Sequence, residues 1–282
     1  ILIVGFGTSA PEMVVSAIAA YEGNPALALG NAIGSNIVNI ALILGVTAIV
    51  SPIMVNSKIV KKEIPLLLLI VLLTGYLLLD NSLTLFEGVI LLAAFFALIL
   101  WSVYTALKSR GDSLESEMDI ELKEHSMSLK LGIVWLVFGL ILLIVSSRIL
   151  VWGAVGVAVE FGVSDLIIGL TIVALGTSLP ELAASVIAAR KGEHDIAIGN
   201  VVGSNMFNLL AVIGIAVVIA PMNNIPLEVL KRDWTIMLLL TIALFAMAYG
   251  FRGRDGRINR VEGTILILCY VAYNTYLGMS LV

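Results

Sequence analysis

Long apolar stretches divide the 282-residue chain, and each is close to the length that crosses a lipid bilayer. They cover about 1–20, 25–51, 64–79, 84–107, 129–152, 163–189, 195–220, 234–250 and 261–282. Short clusters of Pro, Gly, Asn and charged residues separate them, as is typical of turns. Consecutive apolar runs of about 20 residues are typical of membrane-spanning helices. The pattern predicts an all-α polytopic membrane protein.

Composition supports this interpretation. Hydrophobic residues make up 60% of the chain and charged residues 13%, whereas soluble domains are about 25% charged. The net charge is −4 and no basic stripe with interleaved aromatic residues is present, so we expect no nucleic-acid partner. The single cysteine, Cys269, excludes an intramolecular disulfide framework. Membrane lipid is the expected surrounding, and we infer no obligatory protein partner.

A duplicated unit is the strongest signal in the chain. The stretch GTSAPEMVVSAIAA at 7–20 returns as GTSLPELAASVIAA at 176–189, and GNAIGSNIVNI at 30–40 returns as GNVVGSNMFNL at 199–209. About 19 of 49 positions are identical when 5–53 is aligned without gaps on 174–222. The matches include Ser, Thr, Pro, Glu and Asn, which chance similarity between two apolar segments does not produce.

The repeat predicts three parts: a first unit at 1–107, a linker at 108–128 and a second unit at 129–282. The second unit begins with an apolar helix that the first unit lacks. We therefore expect a ten-helix protein with five helices in each half, whose first helix is absent from this chain. An odd number of helices inserts the second unit upside down, which gives a 5+5 inverted-topology repeat.

Basic residues predict the orientation of the chain. Lys and Arg concentrate in alternate loops, including the 108–128 linker, and such residues favour the cytoplasm. We therefore expect a cytoplasmic linker and a C-terminus on the outer side.

Each copy of the first motif places a glutamate, Glu12 or Glu181, within a membrane-length apolar run. A charge at the bilayer centre costs about 2.5–3.5 kcal/mol on insertion scales, so such residues are usually functional. Thr8 and Thr177 lie four residues before these glutamates, on the same helical face. Pro11 and Pro180 supply no N–H to the carbonyl four residues earlier and are expected to kink both helices.

The second motif supplies further oxygens. Ser35 and Asn39 share one helical face, and Ser204 and Asn208 share the corresponding face, so all four can aim neutral oxygens at the glutamates. Such oxygens suit Ca²⁺. Glycines four residues apart, such as Gly30 and Gly34, form faces that let helices approach closely.

Other interpretations of these motif residues remain open. Thr8 and Thr177 can instead bond back to carbonyls of their own helices. Asn31 and Asn200 are equally compatible with a ligand and a structural role. Asn36 and Asn205 lie on a different face and are expected to bond between helices.

The two motifs in duplicate resemble the α-repeats of the Ca²⁺/cation antiporter superfamily, in particular of prokaryotic sodium/calcium exchangers. The resemblance extends over essentially the whole chain. It implies an antiporter of the prokaryotic inner membrane that exchanges Ca²⁺ for Na⁺ by alternating access at a site in the middle of the membrane. It implies no enzymatic activity and no cofactor, since Ca²⁺ and Na⁺ are substrates.

The resemblance also assigns roles to individual residues. It implies a central Ca²⁺ site made by Glu12, Glu181, Thr8 and Thr177 and lined by Asn39 and Asn208. Flanking Na⁺ sites would use Ser9, Ser35 and the Gly5 carbonyl in one half, and Ser178, Ser204 and the Ala174 carbonyl in the other. Two positions depart from the family pattern: Asn208 stands where some members have aspartate, and Gly5 stands where alanine is common.

Two alternatives stay open on the same architecture. A proton/Ca²⁺ exchanger would use protons in place of Na⁺, although proton-coupled members tend to have glutamine where Asn39 and Asn208 stand here. An exchanger of another cation, such as K⁺ or Mg²⁺, fits the same oxygens. A passive channel does not explain the inverted repeat.

Overall fold

The protein is an assembly of long helices. The structure, a computed structural model, describes residues 2–56, 58–108, 128–249 and 256–280. Its helices are α1 (Leu2–Tyr21), α2 (Pro25–Val50), α3 (Lys58–Leu77), α4 (Leu85–Lys108), α5 (Leu129–Phe161), α6 (Asp165–Thr177), α7 (Leu179–Lys191), α8 (His194–Ile219), α9 (Thr235–Tyr249) and α10 (Arg260–Met279). Each predicted apolar segment coincides with one helix or, at 163–189, with the α6–α7 pair. The predicted all-α class is confirmed, while most of the 108–128 linker lies outside the described residues.

Several of these helices can cross a membrane. Within the described residues, α2, most of α3 and α4, and α8 are long and apolar enough for a span. The α6–α7 pair passes the same test as one span with a bend of 42°. Length and apolar character together thus fit a bilayer of about 30 Å hydrocarbon thickness.

The two motif helices differ at their prolines. The sequence predicts the same kink in both, yet α1 runs through Pro11 without interruption. The second copy breaks at Ser178, between α6 and α7, so that Pro180 lies in the first turn of α7. A proline in the first turn needs no N–H partner, whereas Pro11 leaves the Gly7 carbonyl without its helical donor. The predicted kink is thus confirmed in the second copy, where α6 and α7 meet at 42°, while a kink at Pro11 stays a prediction.

Short strand contacts link the two halves at both ends of the helices. Strand β1 (Ile53–Val55) follows α2 and pairs antiparallel with β2 (Gly256–Ile258), with Ile53 opposite Ile258. Leu83 and Met222 form a similar bridge through backbone bonds of 2.8 and 2.9 Å. In the repeat, Met222 matches Ile53 and Leu83 matches Ile258, so one contact occurs twice. Sequence analysis did not predict these strands.

Helices α2 and α8 run antiparallel. The backbone N–H of Asn56, just beyond the end of α2, donates to the carboxylate of Asp195 at the start of α8, at 3.0 Å. At the opposite end, Pro25 at the start of α2 lines the same surface cavity as Pro221, just beyond α8. The two copies of the GNxxGSN motif therefore enter the molecule in opposite directions.

Glycines allow α2 to pack directly on α6. A Cβ atom at Gly34 would lie 2.6 Å from the carbonyl oxygen of Leu170 and 2.8 Å from the Cβ of Ala174. A Cβ at Gly30 would overlap the carbonyl oxygen of Leu166, and one at Gly169 would overlap that of Leu27. This is the close approach that the spacing of Gly30 and Gly34 predicts. It places the second motif of one half beside the first motif of the other.

We expect Gly34→Ala to lower thermal stability, because the new methyl group meets backbone atoms of α6 that cannot move independently. Overpacking of this kind costs about 1–3 kcal/mol. The measurement is the midpoint of thermal unfolding of the purified protein in detergent. Gly139→Ala is the matched control, since Gly139 is also helical but has nothing within 4 Å of a built Cβ. Equal midpoints for the two variants would contradict the packing account.

Candidate cation-binding site

Glu12 of α1 and Glu181 of α7 are both fully buried, with 0% exposure. Each carboxylate meets hydroxyl groups from the other half of the chain. Ser178 donates to Oε1 of Glu12 at 3.2 Å, and the hydroxyls of Thr8 and Ser9 face Glu181. The two carboxyl groups are also close enough to repel each other electrostatically. The structure thus brings the two predicted acids to one place between the repeats.

The serines of the second motif lie at the same place. Ser204 donates to Oε1 of Glu181 at 3.4 Å, and its hydroxyl is 3.3 Å from that of Thr8. Ser35 donates to Oδ1 of Asn31 at 3.4 Å. Both serines are fully buried. Their oxygen lone pairs remain available after these bonds, because a hydroxyl has one donor and two acceptor positions.

Thr8 and Thr177 each donate a hydrogen bond to an asparagine of the other half of the chain. Thr8 donates to Oδ1 of Asn200 at 3.0 Å, and Thr177 donates to Oδ1 of Asn31 at 3.1 Å. Thr177 also lies 3.0 Å from the carbonyl of Val173 in its own helix, so its back-bonded geometry is observed as well.

Asn31 and Asn200 contact the helices that carry Glu12 and Glu181. The Nδ2 of Asn31 donates to Ser16 at 3.0 Å and lies 3.5 Å from the backbone carbonyl of Glu12. The Nδ2 of Asn200 lies 3.2 Å from Ser185 and 3.5 Å from the carbonyl of Glu181. Because the oxygens of both amides accept from threonines, these residues form a supporting layer. Ser16 and Ser185 were not assigned a role from sequence, although they match in the repeat alignment.

Asn39 and Asn208 lie where α2 and α8 loosen into π-helical turns, Val38–Ile43 and Asn208–Val212. Such wide turns are frequent at functional sites. Asn39 donates to Oδ1 of Asn205 at 3.0 Å, and Asn208 donates to Oδ1 of Asn36 at 3.3 Å. As predicted, Asn36 and Asn205 bond between helices.

Five buried oxygens of the predicted ligands make no hydrogen bond within the described part of the chain. They are Oγ of Ser9, Oε2 of Glu12, Oε2 of Glu181, Oδ1 of Asn39 and Oδ1 of Asn208. A buried acceptor without a donor costs about 1–3 kcal/mol, and more when it is charged. Cations would satisfy these oxygens, since metal ions take the place of hydrogen-bond donors at oxygen atoms.

The two predicted carbonyl ligands are less clearly placed. The Ala174 carbonyl accepts the Ser178 N–H at 3.1 Å, so it is occupied by the helix. It follows directly on a π-helical turn at Gly169–Val173. Gly5 lies within α1, near its start. These two positions therefore remain predictions.

The donor set is unusual for a resident metal site. Among the described residues, no group of three or more His, Cys, Asp or Glu side chains could hold a metal ion. The site instead combines two carboxylates with hydroxyl and amide oxygens. Uncharged oxygens favour hard cations such as Ca²⁺ and Na⁺ over soft metals, which prefer sulfur or imidazole. The low formal charge also suits an ion that must be released again.

Comparison with known proteins identifies the family. Residues 1–104 and 131–279 match the family described as "Sodium/calcium exchanger protein". The chain belongs to this family. The resemblance to cation antiporters is therefore confirmed, and the chain is an integral membrane transporter of the antiporter class.

Individual relatives agree with this assignment. The putative antiporter CaxA of Alkalimonas amylolytica is 49% identical over 280 residues, covering 99% of this chain and 86% of the relative. The inner membrane protein YrbG of Escherichia coli (strain K12) is 39% identical over 261 residues, covering 90% of this chain and 79% of the relative. A structure of the sodium-calcium exchanger NCX_Mj soaked with Na⁺ and Ca²⁺ matches with a TM-score of 0.69 at 29% sequence identity. The match covers 97% of this chain and 84% of the NCX_Mj chain.

We expect Asn31→Leu to destabilise this exchanger-family protein, because it removes the buried hydrogen bonds of the Asn31 amide with Ser16 and Thr177. The loss should be about 1–3 kcal/mol, measured as a lower midpoint of thermal unfolding in detergent. The matched control is Thr47→Val, which is of similar size and removes a buried hydroxyl that has no hydrogen-bond partner. A control that is as unstable as Asn31→Leu would argue against the supporting layer.

Proposed function

We propose that this chain exchanges Ca²⁺ for Na⁺ across the membrane at a site between Glu12 and Glu181. The observation that supports this most is the set of buried oxygens that lack a hydrogen-bond donor. Oε2 of Glu12, Oε2 of Glu181 and the Oδ1 atoms of Asn39 and Asn208 make no hydrogen bond within the described residues. A cation binds oxygen lone pairs and would satisfy these atoms together.

Charge explains why one divalent ion competes with several monovalent ions. The two carboxylates carry a charge of about −2 when both are ionised, and one Ca²⁺ neutralises it. Sodium ions distributed over Glu12, Glu181 and the hydroxyls of Ser9 and Ser178 satisfy the same oxygens. Joint occupancy is unfavourable because the cations repel one another at short range in a medium of low dielectric constant. Ca²⁺ and Na⁺ therefore exclude each other.

Neutralisation also couples binding to movement. An empty site would leave two buried carboxylates facing each other, which is costly in a region that excludes water. We propose that the halves, 1–107 and 129–282, change their relative position only when the site is loaded. The antiparallel α2 and α8 form opposite walls of the site, so that each half can close one side, as in other inverted-repeat transporters. In this proposal the 108–128 linker lies in the cytoplasm.

The neutral side chain at Asn208 bears on the number of ions exchanged. An aspartate there would add a third negative charge to the site. With asparagine, the central charge stays with Glu12 and Glu181 alone, so we propose that this protein needs no additional proton or cation at this position. Asn208 contributes a neutral carbonyl oxygen, to which both Ca²⁺ and Na⁺ can bind.

We expect Glu12→Gln and Glu181→Gln each to reduce Ca²⁺ uptake by at least about 100-fold, because one remaining carboxylate cannot neutralise a divalent ion in a dry site. The measurement is the initial rate of radioactive Ca²⁺ uptake into proteoliposomes loaded with Na⁺. Glu87→Gln is the control, since Glu87 is only partly buried and accepts a hydrogen bond from the Thr84 N–H at the start of α4, away from the site. Full activity in Glu12→Gln would overturn the proposed site.

Sodium coupling is tested by exchanging the driving gradient. Vesicles loaded with Na⁺ should take up Ca²⁺ at any external pH between about 6.5 and 8, whereas vesicles with a proton gradient and no Na⁺ should not. The buried serines at positions 9, 35, 178 and 204 suit Na⁺, because they offer neutral oxygens that a proton does not require. Uptake driven by the pH gradient alone would instead establish a proton/Ca²⁺ exchanger.

A further inference from the structure

We infer that Asn36 and Asn205 are positioning residues that determine which end of the Asn208 and Asn39 side chains faces the transported cation. This inference rests on the proposed function, because it concerns the same site. Neither residue is one of the proposed ligands. Each acts through the neighbouring asparagine on the opposite motif helix.

A carboxamide needs such a constraint. Its oxygen binds a cation, whereas its NH₂ group repels one, and the two ends are almost equal in size. Rotation by about 180° at the end of the side chain therefore exchanges a ligand for a repelling group without a steric penalty. Packing alone cannot select the correct orientation in a buried site such as that of Asn39 or Asn208.

Asn36 and Asn205 select the orientation of these amides by offering a hydrogen-bond acceptor. Oδ1 of Asn36 lies 3.3 Å from Nδ2 of Asn208, and Oδ1 of Asn205 lies 3.0 Å from Nδ2 of Asn39. A carbonyl oxygen accepts hydrogen bonds and cannot donate them, so it favours the NH₂ end of its neighbour. The oxygens of Asn208 and Asn39 are thereby turned to the other side, where no donor meets them.

In one half a further residue orients the positioning residue itself. Nδ2 of Asn36 lies 3.4 Å from the sulfur of Met237 on α9, and a thioether is an acceptor only. Met237, Asn36 and Asn208 thus form a series in which every donor points away from the site. On the other side, Nδ2 of Asn205 makes no hydrogen bond with any residue that the structure describes.

The bond to Met237 has no counterpart at Asn205 within the described residues. Asn36 is therefore the more strongly oriented of the two, and its substitution is the clearer test.

The test is a double-mutant cycle on Ca²⁺ affinity, measured by calorimetry with Ca²⁺ alone on the purified full chain in detergent. Asn208→Ala and Asn36→Leu should each weaken binding about tenfold, the equivalent of one lost ligand bond. The double variant should bind within about twofold of Asn208→Ala, because Asn36 has no oxygen left to orient. Asn36→Asp keeps an acceptor of the same shape, so its Ca²⁺ affinity should be at least about one third of that of the wild type.

Two further variants separate positioning from structural support. Thr47→Val, a buried change on the same helix away from the glutamates, should leave the affinity unchanged. The double-mutant cycle of Asn39→Ala with Asn205→Leu should show the same lack of additivity. This second cycle replaces the first as the test if Asn36→Leu does not fold.

The possible results are distinct. If Asn36→Leu weakens binding equally in the wild-type and Asn208→Ala backgrounds, its effect is structural and the inference is wrong. Unchanged affinity in Asn36→Leu also overturns it, while the proposed function stands. A wild-type protein that binds no Ca²⁺ overturns both.

Discussion

The structure depends on one constraint: two fully buried carboxylates, one from each half of the chain, lie close together. Glu12 and Glu181 each receive a serine hydroxyl at one oxygen and have no partner at the other among the described residues. Two such groups are costly to bury unless positive charge accompanies them. The amides of Asn39 and Asn208 donate to Asn205 and Asn36, so their own oxygens are left without a donor in the described part of the chain. In the proposed function a cation supplies the missing positive charge and satisfies these oxygens.

The fold provides this arrangement by bringing the same unit together twice in opposite directions. Strand contacts at Ile53–Ile258 and Leu83–Met222 fix the ends of the two units. Glycines on α2 and α6 let backbones approach so closely that even a methyl group at Gly34 would overlap. Each motif then bonds with the motif of the other half, as Thr8 does with Asn200 and Thr177 with Asn31. In the proposed function, a change in the relative position of the halves would therefore alter the coordination of the ion.

Much of this was predictable because it follows from apolar length and repetition. The apolar segments gave the helices, and the repeat of Glu12 as Glu181 indicated a common site with an inverted partner. The repeat could not reveal how its copies differ: α1 continues through Pro11, while the second copy breaks at Ser178. That difference depends on packing against other helices. The orientation of the amides was equally inaccessible, since it depends on contacts such as Asn36 with Met237 that lie 201 residues apart. The short strands escaped prediction because three-residue segments carry too little pattern.

The most direct test of the central claim is anomalous X-ray scattering from crystals soaked with Ca²⁺ or with the heavier ion Sr²⁺, in low and in high Na⁺. We expect one anomalous peak between the carboxylates of Glu12 and Glu181, within about 2.3–2.6 Å of their oxygens for Ca²⁺, and we expect Na⁺ to remove it. A peak elsewhere in the molecule, or a peak between these carboxylates that high Na⁺ leaves unchanged, would contradict the account.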